Sequence, residues 1–167
     1  VLGIDLGEIV ESRILPSHLR QKDKDDKLGI LDVRVLLNNK EQIDIEIQVT
    51  SSEYWVERTL FYLGKMFVDQ LKPGEDYQKL EKCIHVGILN FTLFDDEEYY
   101  SRFHFWSDQG RKMYSDKYEI HTLELPKLAK HEYPETELLK WLQFINAESK
   151  EEFEMAAEKS EYIKKAY

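Results

Sequence analysis

The sequence predicts an α/β or α+β sandwich, and three observations carry that prediction. LDVRVLL (31–37) and IDIEIQV (43–49) are strand-length stretches separated by turn residues, and the second alternates apolar and polar side chains without a break. The next stretch, 51–71, changes to a helical period. Further strands and then helices follow, an order that suits neither a helical bundle nor an all-β fold.

Residues 1–15 are mixed, with a short strand expected within 7–15. RQKDKDDK (20–27) has no apolar residue and reads as a solvated loop. LDVRVLL is rich in β-branched and leucine residues, and NNKE after it is turn chemistry, because asparagine tolerates the left-handed backbone. In SSEYWVERTLFYLGKMFVDQL, Ser51 or Ser52 suits an N-cap, and Trp55, Thr59, Tyr62, Met66 and Phe67 recur at helical steps. Pro73-Gly74 provides the stop. IHVGILNFTLF (84–94) is apolar on both faces and reads as a buried strand. SRFHFWS (101–107) and EIHTLEL (119–125) predict two more strands, and 135–145 and 151–165 two helices. No internal repeat or low-complexity tract interrupts this order.

At 167 residues, 42% hydrophobic and 13% aromatic, the chain suffices for a single domain with a true core. Its net charge of -10 argues against indiscriminate binding to nucleic acid or anionic membrane. It leaves room for a metal-dependent enzyme on nucleic acid, because bound divalent cations invert the sign of a carboxylate cleft. Cys83 is the single cysteine, so no internal disulfide forms, and a reducing, cytoplasmic location is expected. There is no apolar run of membrane-spanning length and no signal peptide. The opening at Val1 and the close on EYIKKAY in mid-helix suggest part of a longer protein.

The hairpin brings carboxylates together. With Asn38-Asn39-Lys40 as its loop, Asp32 lies opposite Glu46; with Asn39-Lys40-Glu41, it lies opposite Gln48. Either register puts Asp32, Asp44, Glu46 and Gln48 on one face, with the Cβ atoms of Asp32 and Glu46 roughly 5 to 8 Å apart. Like charges at that separation need a cation, a proton or a basic side chain. Magnesium is one answer, since one or two carboxylates typically hold it. Glu46 and the Ile47 backbone carbonyl would then supply oxygens, and Gln48 would sit beside the metal-bound water. The other answer is Arg34, on the same face, paired with Asp44 or Glu46. Arg58, Tyr62 and Lys65 share one face of the following helix, suited to contacting phosphate or orienting a water. Alternatively Tyr62 packs in the core, with Arg58 and Lys65 in solvent.

In their order and spacing these residues resemble the PD-(D/E)XK nuclease family of transposases, the recombination-promoting nuclease group. Asp32, Ile45-Glu46-Ile47-Gln48, Arg58 with Tyr62, and Gly74 with Tyr77 carry the resemblance, together with ELPK (124–127) and the WLQFI helix from Trp141. It spans most of the chain from about Lys27. It implies a restriction-endonuclease-like core, a mixed sheet between helices with the active site at the hairpin. It also implies DNA as partner and phosphodiester cleavage dependent on magnesium, with manganese as a substitute. Asp32, Glu46 and Gln48 would be catalytic, Asp32, Glu46 and the Ile47 carbonyl would ligate the metal, and Arg58, Tyr62 and Lys65 would assist. Gln48 stands where many relatives carry lysine, and an amide is no general base, so the metal must acidify the water. A homodimer would suit cleavage of both strands.

Two departures bear on these expectations. The family's opening helix with Asp-x-x-Phe-Lys does not occur, so the chain reads as a single nuclease-like domain over 1–167, lacking its N-terminal helix and extreme C-terminus. The charge of -10 disfavours DNA, so affinity would rest on a local basic patch. A catalytically idle binding or assembly module with the same fold is therefore the competing expectation. Within IDIEIQV, Asp44 reads as a solvated neighbour. The five histidines (His18, His85, His104, His121, His131) have no zinc-ligand spacing and read as structural or exposed.

Overall fold

The computed structural model describes residues 1–4, 6–16 and 32–166; the charged run at 20–27 lies outside them. Six strands form one mixed sheet: β1 (Ser12–Leu15), β2 (Val33–Leu37), β3 (Glu41–Gln48), β4 (Cys83–Leu89), β5 (Tyr100–Trp106) and β6 (Met113–Glu124). In space they run β1-β2-β3-β4-β6-β5. Neighbours are antiparallel except at β3–β4 and β4–β6, which are parallel. The helices are α1 (Trp55–Val68), α2 (Glu137–Ile145), α3 (Lys150–Glu158) and α4 (Glu161–Ala166). A mixed sheet flanked by helices is the expected class.

The hairpin adopts the first register: Leu37 pairs with Glu41 and Val33 with Ile45 around Asn38-Asn39-Lys40. Asn38 and Asn39 have φ of 50° and 57°, which asparagine accepts more readily than most residues. The Asn38 side chain also accepts the Val10 N–H at 2.8 Å, tying the N-terminal segment to the turn.

β3 and β4 are parallel, so a crossover must join them, and α1 is that crossover. It lies over the face that carries Asp44, Glu46, Cys83 and His85, burying Tyr62, Leu63 and Met66 against Cys83. Burial pushes the Cys83 thiol up to about 12, so it is an inert core group. The opposite face carries the larger core, where Ile43, Ile84, Val86, Ile88 and Leu123 pack with Leu142 of α2.

Several boundaries differ from expectation for local reasons. α1 begins at Trp55 with Tyr54 at its N-cap and no side-chain cap, so neither serine caps it; Ser52 accepts the Trp55 N–H on its carbonyl and the Tyr54 N–H on its hydroxyl. β4 stops at Leu89, and beyond it the N–H groups of Leu93 and Phe94 go to the Glu124 carboxylate (2.7 and 3.3 Å). The helix expected over 151–165 breaks at Lys159-Ser160 into α3 and α4. The apolar row of β3 is covered only at its start: Ile43 is buried, whereas Ile47 and Val49 are 51% and 66% exposed.

On the face away from α1, buried Glu119 accepts from His121 Nε2 at 2.6 Å, His104 Nε2 at 2.8 Å and Lys82 Nζ at 3.3 Å. Burial pushes the Glu119 carboxyl up, but the histidine hydrogen bonds bring it below its ordinary value. Burial also lowers His121, against the pull of Glu119. Both groups bind protons less readily folded than unfolded. The stability they contribute is therefore whole above about pH 6.5 and is lost as pH falls, first through His121 and then through Glu119 below about pH 4.5. Thermal midpoints should decline over that window, and Glu119→Gln should flatten the lower part. Midpoints unchanged between about pH 7 and 4 would contradict this.

Candidate functional site

The period of two along β3 sends Asp44 and Glu46 beneath α1, where each is 1% exposed. The expectation that Asp44 is solvated is thus corrected: the crossover helix covers this face. Parallel pairing sets Asp44 beside His85 and Glu46 beside Gly87. The Asp44 Oδ2 and His85 Nδ1 atoms are 2.8 Å apart, and His85 Nε2 lies 3.5 Å from the Thr59 hydroxyl. The Trp55 ring packs on His85 at 5.6 Å between centroids.

Gly87 makes room for that ring. A Cβ there would stand 2.7 Å from Trp55 Cζ2, and Trp55 is itself only 2% exposed. Gly87→Ala should therefore cost about 1–3 kcal/mol by overpacking. Thermal melts would register this, and a variant as stable as the parent would show that the ring moves freely.

Glu46 receives its counter-charge from above rather than from the neighbouring strand. Arg58 on α1 reaches Glu46 Oε1 at 2.5 Å. Arg34, expected in that role, instead donates to Gln42 Oε1 at 2.5 Å, leaving the Asp44 carboxylate to His85. Arg58 also lies 5.4 Å from the centre of the Tyr62 ring. Burial raises the pKa of Glu46, while Arg58 and His85 oppose the shift.

Two carboxylate oxygens, Asp44 Oδ1 and Glu46 Oε2, are buried without a hydrogen-bond partner among the described residues. Buried polar atoms rarely stay unpaired, so each needs a reason. Asp44, Glu46 and His85 each bring one ligand atom within 4.8 Å of the others. The unpartnered oxygens and this donor set fit a divalent cation.

The other expected residues surround this cluster. Asp32 is exposed just before β2, and continuing the hairpin register one step sets it opposite Glu46. Its carboxylate accepts the Ile47 N–H at 3.1 Å, so it stands at the rim and outside the buried group. Gln48 is half-buried and donates to the Thr50 carbonyl at 2.9 Å. Tyr62 is buried, and Lys65, three residues on, is half-buried. Beside them a cleft of about 590 Å³ is lined by Ser52, Tyr54, Glu57, Arg58, Phe61 and Tyr62. The fold thus joins Glu46 to Arg58 and sets Tyr62 beside them, while Asp32 and Gln48 border the cluster. Asp44 and His85, which complete the buried cluster with Glu46, were not among the residues expected at the site. The D-x-E spacing was a signal for Asp44; nothing local pointed to His85.

A mixed sheet between helices, with carboxylates on its hairpin, defines the restriction-endonuclease-like class. The family model for the PD-(D/E)XK nuclease family transposase matches residues 1–167, and the chain belongs to that family. No curated protein and no solved structure matches it. Membership implies a nuclease or transposase-like function with DNA as substrate, and such nucleases generally use divalent metals. Among the described residues, no helix is long and apolar enough to cross a membrane.

Proposed function

We propose that the protein is a magnesium-dependent DNA endonuclease that hydrolyses phosphodiester bonds at the β2–β3 hairpin. The observation that supports this reading best is the unpartnered, buried oxygen of Glu46 beside that of Asp44, next to Asp32 on the same hairpin. Asp32, Glu46 and the Ile47 carbonyl would hold the cation, which when bound supplies Lewis-acid charge and an acidified water. Gln48 cannot take up a proton, so its part is to orient the attacking water by hydrogen bonding. Arg58, at the lined cleft, offers a planar fork of donors to phosphate oxygens, and Lys65 extends the same helix face. With a net charge of -10, affinity for DNA would rest on such local contacts and on the bound cation.

The test incubates full-length protein with duplex DNA and magnesium, and with manganese in parallel, beside Asp32→Ala and Glu46→Ala. Cleavage by the parent alone is expected. Cleavage that persists in both variants overturns the proposal.

One observation favours the idle binding module instead: Arg58 at 2.5 Å already neutralises Glu46. A crystal structure of protein grown with manganese separates the readings. An ion between Asp32 and Glu46 supports the nuclease, and Arg58 still locked on Glu46 with no ion at Asp32 supports the module.

A further inference from the structure

The geometry points to a second, inner cation position formed by Asp44, Glu46 and His85, selective for divalent transition metals such as manganese over magnesium. It shares Glu46 with the rim position of Asp32 and so rests on the nuclease reading for its neighbour, though not for its own donors. Those donors are one oxygen from each carboxylate and one imidazole nitrogen, all within 4.8 Å of one another. All three residues are 1% exposed, unlike Asp32.

Two features distinguish this cluster from a self-contained salt-bridge network. First, Asp44 Oδ1 and Glu46 Oε2 lack any partner among the described residues, although the other oxygen of each carboxylate is satisfied, by His85 and Arg58 respectively. A network that had closed on itself would leave neither oxygen buried and bare. Second, the imidazole is held from several sides. The Thr59 hydroxyl lies 3.5 Å from Nε2 and Trp55 packs on the ring, as outer partners fix a ligating histidine, and this turns Nδ1 toward the Asp44 carboxylate as the donor nitrogen.

The donor chemistry sets the selectivity. Magnesium prefers oxygen ligands, demands near-ideal octahedral geometry and keeps several of its waters. A buried position with an imidazole suits that poorly. Manganese accepts carboxylate, and divalent ions further along the series bind imidazole increasingly well. Two carboxylates and a neutral imidazole also balance a doubly positive ion, with Arg58 tempering Glu46.

The test needs no DNA. Full-length protein stripped by chelation is titrated with manganese and with magnesium, following free manganese by electron paramagnetic resonance and magnesium by calorimetry. Asp44→Asn, His85→Gln and Asp32→Asn are titrated alongside. At least one manganese should bind at least tenfold more tightly than magnesium. Asp44→Asn and His85→Gln should weaken that binding about 10-fold to 100-fold, on the scale of ligand and near-ligand changes, and Asp32→Asn should leave it in place. Pulsed resonance of the manganese-loaded parent should show coupling to a directly bound histidine nitrogen, a readout that stands even if His85→Gln fails to fold.

Equal affinity for both metals, parent-like manganese binding by Asp44→Asn and His85→Gln, or a bound manganese without nitrogen coupling each overturn the inner position. Manganese bound as described by a protein that cuts no DNA upholds this position and refutes only the nuclease reading. Magnesium-supported cleavage without the manganese signature does the reverse.

Discussion

Glu46→Gln should lower DNA cleavage by about 10²–10³-fold, the scale of removing one strong transition-state electrostatic partner, while leaving the fold at least as stable as the parent. Burial raises the pKa of Glu46 despite the opposing pull of Arg58. The folded state therefore binds this proton more readily than the unfolded state does. Stability from the neutral form is complete below the unfolded value and is lost as pH rises through the folded one, so at neutral pH the ionised carboxylate is a burden on the fold. Glutamine keeps the shape and an acceptor oxygen for Arg58 and removes that burden. Thermal melts in chelator beside cleavage assays in magnesium check both halves. Added divalent metal should raise the melting point of the parent and not of the variant, because only a state that binds the ion gains from it. A variant that melts well below the parent would show that Glu46 is chiefly structural.

Lys127→Ala should destabilise the protein by about 3–5 kcal/mol, the usual cost of stripping one partner from a buried ion pair. For a chain of this size that is a fall of roughly 6–20 °C in Tm. Lys127 is only 2% exposed, and its ammonium donates to Asp96 at 2.7 Å, the Glu98 carbonyl at 3.0 Å and Glu124 at 3.1 Å. Burial alone would lower its pKa, but the hydrogen bonds to Asp96 and Glu124 hold it above its ordinary value. Glu124 is 1% exposed and also receives the N–H groups of Leu93 and Phe94, so losing Lys127 strands a buried carboxylate and loosens the segment after β4. Adding Glu124→Gln to Lys127→Met should recover part of the loss, since glutamine still accepts from Leu93 without a charge to bury. Calorimetric melts of the three variants test this. A single variant within about 1 kcal/mol of the parent would show the pair to be dispensable.

ELPK (124–127) was legible only as a family block; its work as the knot that holds residues 93–98 appears in the fold. The hairpin was far more readable. Turn chemistry and period narrowed its register to two choices, and the left-handed Asn38 and Asn39 accompany the one adopted. Arg58 and Tyr62 share a helix face as spacing required: Arg58 pairs with Glu46, and Tyr62 packs in the core with Leu63, Met66 and Cys83, the alternative the sequence left open. His85 was not legible, because its partner Asp44 lies 41 residues away and meets it only through the parallel pairing of β3 with β4. Histidine spacing along the chain carries no trace of such a pairing.

By itself, then, the amino-acid order determined the hairpin, the helix after it and the separation of IDIEIQV into two unlike faces. How far each face would be buried was decided only by the tertiary structure. Period two is a local property of the strand, whereas burial depends on where the crossover helix lands. Here α1 lands on the polar side and encloses Asp44 and Glu46 with His85, while on the apolar side Ile43 enters the larger core and Ile47 and Val49 remain in water.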